Sequence, residues 1–241
     1  MSPWRFIRDP GRPQVVGSIG SAAALALSTP ARTRECCDLV EIRLDALAAE
    51  GLAIERGQWA HLAGLPLLFT ARRREEGGLA EATAGERLEW LATALPDGVA
   101  VDVELASVAE AGDLLAMVRA AGLPWVASFH DFERLPETGL LEDAVRMAAA
   151  AGAAVFKVAA LLHTPDDLAR LAGFQLADHG LPVASMGMGP WAAVSRLLCA
   201  QCGSALNYGY LGDTATAPGQ WHCGVLKDAI ARLPGAPGSG A

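Results

Sequence analysis

The stretch AAVFKVAALLHTPDDLARLAGFQLADHG, residues 153–180, joins a short apolar run to a segment carrying the punctuation of a helix. Residues 153–162 read as a buried strand. After them, Thr164 is placed to cap a helix, Pro165 to occupy its first turn, Asp166 and Asp167 to sit at the positive end of its dipole, and Gly180 to stop it. One strand followed by one helix is a βα unit, and a parallel sheet is built from such units.

The pattern recurs along the chain. PQVVGSI, DLVEIRLD, PLLFTAR, GVAVDVEL, PWVASFHDF, AVFKVA, PVASMGM and ALNYGYL begin roughly every 23 to 33 residues, about the length of one βα unit. PETGLLEDAVRMAAAAG and AEAGDLLAMVRAAG close on Gly152 and Gly122 as helices do, SRLLCAQCG reads as a helix, and GVLKDAIARL is an amphipathic last one. Eight strands in this order predict an α/β fold, a (β/α)8 TIM barrel in a single domain over residues 14–232, preceded by an extension at 1–13 and followed by a tail at 233–241 with nothing to pack.

Composition narrows the function. Of the 241 residues 52% are hydrophobic and 19% charged, which excludes the low-hydropathy signature of disorder. The net charge of −8 is spread without a basic stripe, so a small molecule is the expected partner, not nucleic acid or a membrane surface. No apolar run has the length of a membrane span and the N-terminus lacks a signal-like apolar core, which predicts a cytoplasmic protein. Five cysteines do not make a disulfide framework, and Cys199 with Cys202 is a lone CxxC without a second pair, so no metal is expected.

Lys157 stands inside residues 153–162 as one of only two lysines against seventeen arginines; the other, Lys227, is expected to be solvated. A buried ammonium must be paired or must shed its proton, and an uncharged amine is a nucleophile. Polar residues gather where the other strands end: Glu41, Arg43 and Asp45; Arg72, then Glu76; Asp102 and Glu104; His130 and Asp131; Met186 and Met188. Barrel enzymes carry their chemistry at that rim, and alternate strand residues share a face, so Glu41, Arg43 and Asp45 form one inward set and Asp102 and Glu104 another.

VEIRLD, LLFTARRREEGG, VDVEL, SFHDFERLP, VFKVA, SMGMGPWAAVSR, GSALNYG and TAPGQ, in that order and spacing, resemble type I 3-dehydroquinate dehydratase, a hydro-lyase of the shikimate pathway, over nearly the whole chain. The resemblance implies a (β/α)8 barrel, no cofactor, a homodimer and 3-dehydroquinate as substrate. It also implies catalytic roles for Lys157 as the imine-forming amine, His130 as general base and acid, and Glu76 as the carboxylate orienting that histidine. Glu41, Arg43, Arg72, Asp102, Met186, Met188, Arg196, Thr216 and Gln220 are implied to bind substrate, Arg196 through its carboxylate. Gly219 and Pro218 are implied to shape the loop carrying Gln220. Thr216 departs from the serine usual in the family, and the segment before the first strand is shorter than in many members. Two rival readings use the same barrel: another Schiff-base lyase such as a class I aldolase, which would want a phosphate cradle, and a non-catalytic quinate-type ligand sensor, which should have lost Lys157 or His130.

Overall fold

A computed structural model describes residues 13–234. Eight strands form one parallel sheet: β1 Gln14–Ile19, β2 Leu39–Arg43, β3 Leu67–Thr70, β4 Ala100–Glu104, β5 Trp125–Asp131, β6 Val155–Leu161, β7 Val183–Met188 and β8 Leu206–Tyr210. The order is β7-β6-β5-β4-β3-β2-β1-β8, so sequential strands are neighbours and β8 returns to pair with β1. At the seam, Ala205 N–H donates to the Val183 carbonyl at 2.9 Å. The expected N-terminal extension and C-terminal tail fall largely on 1–12 and 235–241, outside the described residues. Among the described residues no helix is long and apolar enough to cross a membrane.

The period-two alternation of strands sorts the side chains. Outward residues such as Val40, Ile42, Phe69, Val101, Val103, Phe156 and Val158 pack under the helices in the main core. The first inward residue of nearly every strand is apolar, with Val16, Leu68, Ala100, Val126, Val155, Ala184 and Leu206 together forming a second buried cluster. The next inward residues along the strands are Ser18, Glu41, Thr70, Asp102, Ser128, Lys157, Met186 and Tyr208. An oily plug therefore supports a polar row.

Helix signals are read correctly at most ends and fail at some. Thr164 caps Pro165–Leu176 in a reciprocal capping box with Asp167, and Gly122 and Gly152 lie just past Gly112–Ala120 and Thr138–Ala150 with φ of +65° and +82°. Gly180 does not stop its helix, which ends at Leu176. Lys227 is half-buried and paired: on Cys223–Ile230 it donates to the Arg34 carbonyl and pairs with Asp38 at 3.0 Å, tying the last helix to the helix Pro30–Cys36 and the loop before β2.

That last helix packs unusually close. A Cβ on Gly209 of β8 would lie 2.5 Å from the Cys223 Cα and 2.9 Å from the Trp221 carbonyl oxygen, both backbone. Gly173, by contrast, is exposed in mid-helix with open space around it. Gly209→Ala should cost about 1–3 kcal/mol or more because backbone cannot yield as a side chain does. Gly173→Ala should gain about 0.5–1 kcal/mol through the lost entropy of glycine. Urea midpoints that move in the same direction for both would contradict this packing.

Candidate functional site

At the C-terminal ends of the strands a cavity of about 500 Å³, counted out to its opening on solvent, is lined by residues of β1, β2 and β5 to β8, of the loops after β3, β5 and β8, and of the helix Ala192–Gln201. Every residue implied to be catalytic or substrate-binding lines it except Asp102, and of the other rim residues read from the sequence Asp45, Glu104 and Asp131 do not. Asp45 also differs: β2 ends at Arg43, and Asp45 falls in the first turn of the helix Leu44–Ala49, where the period is no longer two. Its buried carboxylate takes both the Arg43 Nε (2.9 Å) and Nη2 (2.8 Å) and accepts the N–H groups of Arg72 and Leu79, so it clamps the loop after β3.

Lys157 sits in the polar row, 4% exposed, and it is paired, not free. Its Nζ donates to Asp102 Oδ2 at 3.0 Å, lies 3.7 Å from Glu41 Oε1 and stands 4.0 Å over the Tyr208 ring. Asp102 is sealed behind it: Oδ1 accepts from Ser128 Oγ at 2.6 Å and meets Arg72 Nη2 at 2.9 Å. Burial alone would raise the Asp102 carboxyl, but Arg72 and Lys157 outweigh it and hold it at about 2. Glu41 is fixed by Ser18 Oγ (2.5 Å) and Thr70 Oγ1 (2.8 Å). Arg72 Nη1 also reaches Ser128 Oγ and Glu104 Oε1 (3.0 Å). The hydroxyls of Ser18, Thr70 and Ser128 and the Tyr208 ring were not singled out in the sequence; their inward parity with Glu41, Asp102 and Lys157 is the signal that finds them.

Glu76 comes from the 3-10 turn Arg74–Glu76, which ends on Gly77 at φ +86°. The Phe132 ring lies over Gly77, where a Cβ would come within 2.6 Å of its Cζ, so only glycine satisfies both the backbone and the contact. One oxygen, Glu76 Oε2, faces both the His130 backbone N–H and the ring Nδ1 at 2.9 Å. Nδ1 is assigned as the protonated nitrogen because it faces an acceptor, which leaves Nε2 with its lone pair. Burial, with Arg72, Lys157 and Arg43 adding repulsion, holds His130 well below its ordinary 6.5. Burial pushes Glu76 up to about 7 against the opposition of Arg72.

Across the cavity Arg196, in the helix Ala192–Gln201, is 2% exposed. Its Nε donates to the Tyr208 carbonyl (3.0 Å) and Nη1 to the carbonyls of Gly187 (2.8 Å) and Ala192 (3.1 Å). No acid pairs with it among the described residues, and burial pushes it down to about 10. A desolvated guanidinium of this kind is a ready seat for an anion. Met186 and Met188 are buried beside it, and Thr216 and Gln220 close the wall from the loop after β8. In the lone CxxC, Cys199 is buried and its thiol pushed up to about 12 by that burial, while Cys202 is half-buried with its thiol also raised by burial.

The family model described as Type I 3-dehydroquinase matches residues 20–233. The 3-dehydroquinate dehydratase of Haloarcula marismortui is 36% identical over 222 residues, covering 88% of this chain and 94% of the relative. That of Haloquadratum walsbyi is 32% identical over 224 residues, covering 88% and 91%. The crystal structure of the 3-dehydroquinate dehydratase from Geobacillus kaustophilus superposes with a TM-score of 0.81 at 25% identity, covering 92% of this chain and 91% of that one.

The electrostatics of His130 make a spectroscopic prediction. At about pH 6, where an unperturbed histidine is mostly charged, its ring should remain neutral with the proton on Nδ1. Nitrogen NMR of the folded protein would read this as a pyridine-like Nε2 whose shift does not titrate through the usual range; a midpoint at the ordinary value would contradict the burial argument.

Proposed function

The chain belongs to the type I 3-dehydroquinase family, and from that premise we propose that it converts 3-dehydroquinate to 3-dehydroshikimate and water through an imine on Lys157. The observation that carries the reading is the joint exposure of Lys157 and His130 to one cavity from adjacent strands.

Before it can attack, the Lys157 ammonium must give up a proton. Asp102 is a poor acceptor because a carboxyl held at about 2 keeps no proton at neutral pH. Neutral His130, with its bare Nε2, is the base at hand. Nζ then bonds to the C3 carbonyl carbon, the carbonyl oxygen takes one proton from the nitrogen and one back from His130, and it leaves as water, giving a neutral imidazole and an iminium. Its positive charge acidifies the C2 hydrogens, and His130 removes one, so that the C–H electron pair drains into an enamine. The enamine expels the C1 hydroxyl, which takes the proton from His130 and departs as water. Hydrolysis of the conjugated imine consumes one water and restores Lys157. The balance is the loss of one water from the substrate.

Glu76 orients the imidazole and favours its Nε2 as the working atom. Arg196, bonded only to carbonyls and unpaired by any acid in the described residues, takes the substrate carboxylate. Glu41 keeps lone pairs, and Arg43 its Nη1, for hydroxyls of the ring. Arg72 has both Nη atoms engaged by Asp102, Glu104 and Ser128, so its part is to charge the wall and hold Asp102 in place.

Borohydride added with 3-dehydroquinate should leave a stable adduct on Lys157, seen by intact-protein and peptide mass spectrometry, and Lys157→Ala should leave none. Trapping on another residue would end the proposal. His130→Ala should still form the imine, slowly, while turnover falls by about a hundred- to ten-thousand-fold, the usual worth of a positioned acid-base group. Full turnover in that variant would remove His130 from the reaction.

A further inference from the structure

Gly20, directly after β1, has a backbone any residue could adopt, since its φ is not among the positive values. Its lack of a side chain is explained by space: a Cβ there would stand 2.5 Å from the Thr216 Cγ2 methyl. That methyl cannot simply swing away. Threonine is stiff at χ1, and its Oγ1 donates to Gln220 Oε1 at 2.8 Å. The Thr216 backbone N–H donates to the same oxygen at 2.9 Å. A backbone N–H can only donate, so the carbonyl end of Gln220 is the one turned to Thr216. Its Nε2 is left without a partner among the described residues, on a side chain that lines the cavity.

Two neighbouring contacts seat the rest of this loop. A Cβ on Gly212 would meet the Ala24 Cβ at 2.6 Å, and one on Gly219 would meet the Ala192 Cβ and the Gly189 oxygen, each at 2.6 Å. Gly212 and Gly219 also have φ of +115° and +73°, so backbone and space both account for them; Gly20 has only the space argument.

We propose that Gly20 is a positioning residue for substrate binding: its bare Cα is the socket for the Thr216 methyl, and the seated methyl fixes the Gln220 amide over the cavity. The inference rests on the proposed function and deepens it. The Thr216 methyl is matched to this glycine, so the effect of adding a methyl at position 20 should depend on whether the methyl at position 216 is present.

The test is a double-mutant cycle of Gly20→Ala and Thr216→Ser. In the native background Gly20→Ala should raise KM for 3-dehydroquinate by about tenfold, equivalent to about 1.4 kcal/mol and within the range for one overpacked methyl. It should change kcat by less than about threefold, since what is lost is held equally in ground and transition states. In the Thr216→Ser background, where the methyl is gone, the same Gly20→Ala step should raise KM by less than about twofold. Amide exchange of residue 216, measured without substrate, should quicken in Gly20→Ala and recover in the double variant. Equal KM penalties in both backgrounds would overturn the socket, as would unaltered exchange in Gly20→Ala. Altered exchange with unaltered KM would overturn its role in binding. If the parent protein did not dehydrate 3-dehydroquinate at all, the proposed function would fail while the exchange comparison still decided whether the socket exists.

Discussion

The ion pair between Lys157 and Asp102, 3.0 Å long and set above an apolar plug, is the contact on which the rest of the interior depends. Neither charge could be buried alone, since removing one partner of such a pair typically costs about 3–5 kcal/mol. Nor does the pair close on itself. Asp102 also takes Arg72 and Ser128, Arg72 takes Glu104, and Glu104 takes Arg87 from the surrounding helices. The charge on the amine is thus balanced through a chain of buried partners that fixes where Nζ stands. The same chain makes Asp102 a strong acid, and so a group that holds the lysine without competing for its proton in the proposed reaction.

The rim is electrically lopsided. Glu41, Asp102, Glu104 and Glu76 come from β2, β4 and the loop after β3, where Arg43 and Arg72 face them. On the β7–β8 side Arg196 has three carbonyls and, among the described residues, no acid, beside two methionines. An anionic ligand entering this mouth meets cations already matched by acids on one side and an unmatched guanidinium on the other, so one orientation is favoured before any hydrogen bond forms. In the proposed mechanism that orientation brings the substrate's carboxylate to Arg196 and its ketone to Lys157.

The barrel was legible because a parallel strand buried on both faces advertises itself as a short apolar run, and because each run is followed by capping residues and a glycine. All eight strands lie within the runs that predicted them or overrun them by a residue or two. The site was legible wherever a charged residue interrupts such a run. Asp45 was misplaced because counting by twos continues past Arg43 while the chain has already turned into a helix, a boundary no local residue announces. The pairing of Lys227 is not legible in the sequence because its partners, Arg34 and Asp38, are nearly two hundred residues away. Ser18, Thr70 and Ser128 went unremarked because a hydroxyl inside a strand is ordinary; only their neighbours give them work. Parity correctly turns Asp102 inward, but the substrate contact that the resemblance implies for it is not visible in the cavity lining, because Lys157, Ser128 and Arg72 pack over the carboxylate.

Register is the constraint that joins fold to chemistry. In the β5–β6 pairing Ser128 lies opposite Lys157 and His130 opposite Ala159. The imidazole therefore stands two residues above the amine on the next strand, a rise of about 6.6 Å alongside a lateral step of about 4.8 Å. In the proposed reaction that diagonal is the span between the carbon bonded to Nζ and the hydrogen that Nε2 removes from the adjacent carbon. A slip of one residue in either strand would turn Lys157 or His130 outward into the helix layer, among Phe156, Val158 and their neighbours. The apolar residues that alternate with Lys157 and His130 are what forbid the slip, so the hydrophobic period along β5 and β6 sets the distance over which the amine and the base can act on one molecule.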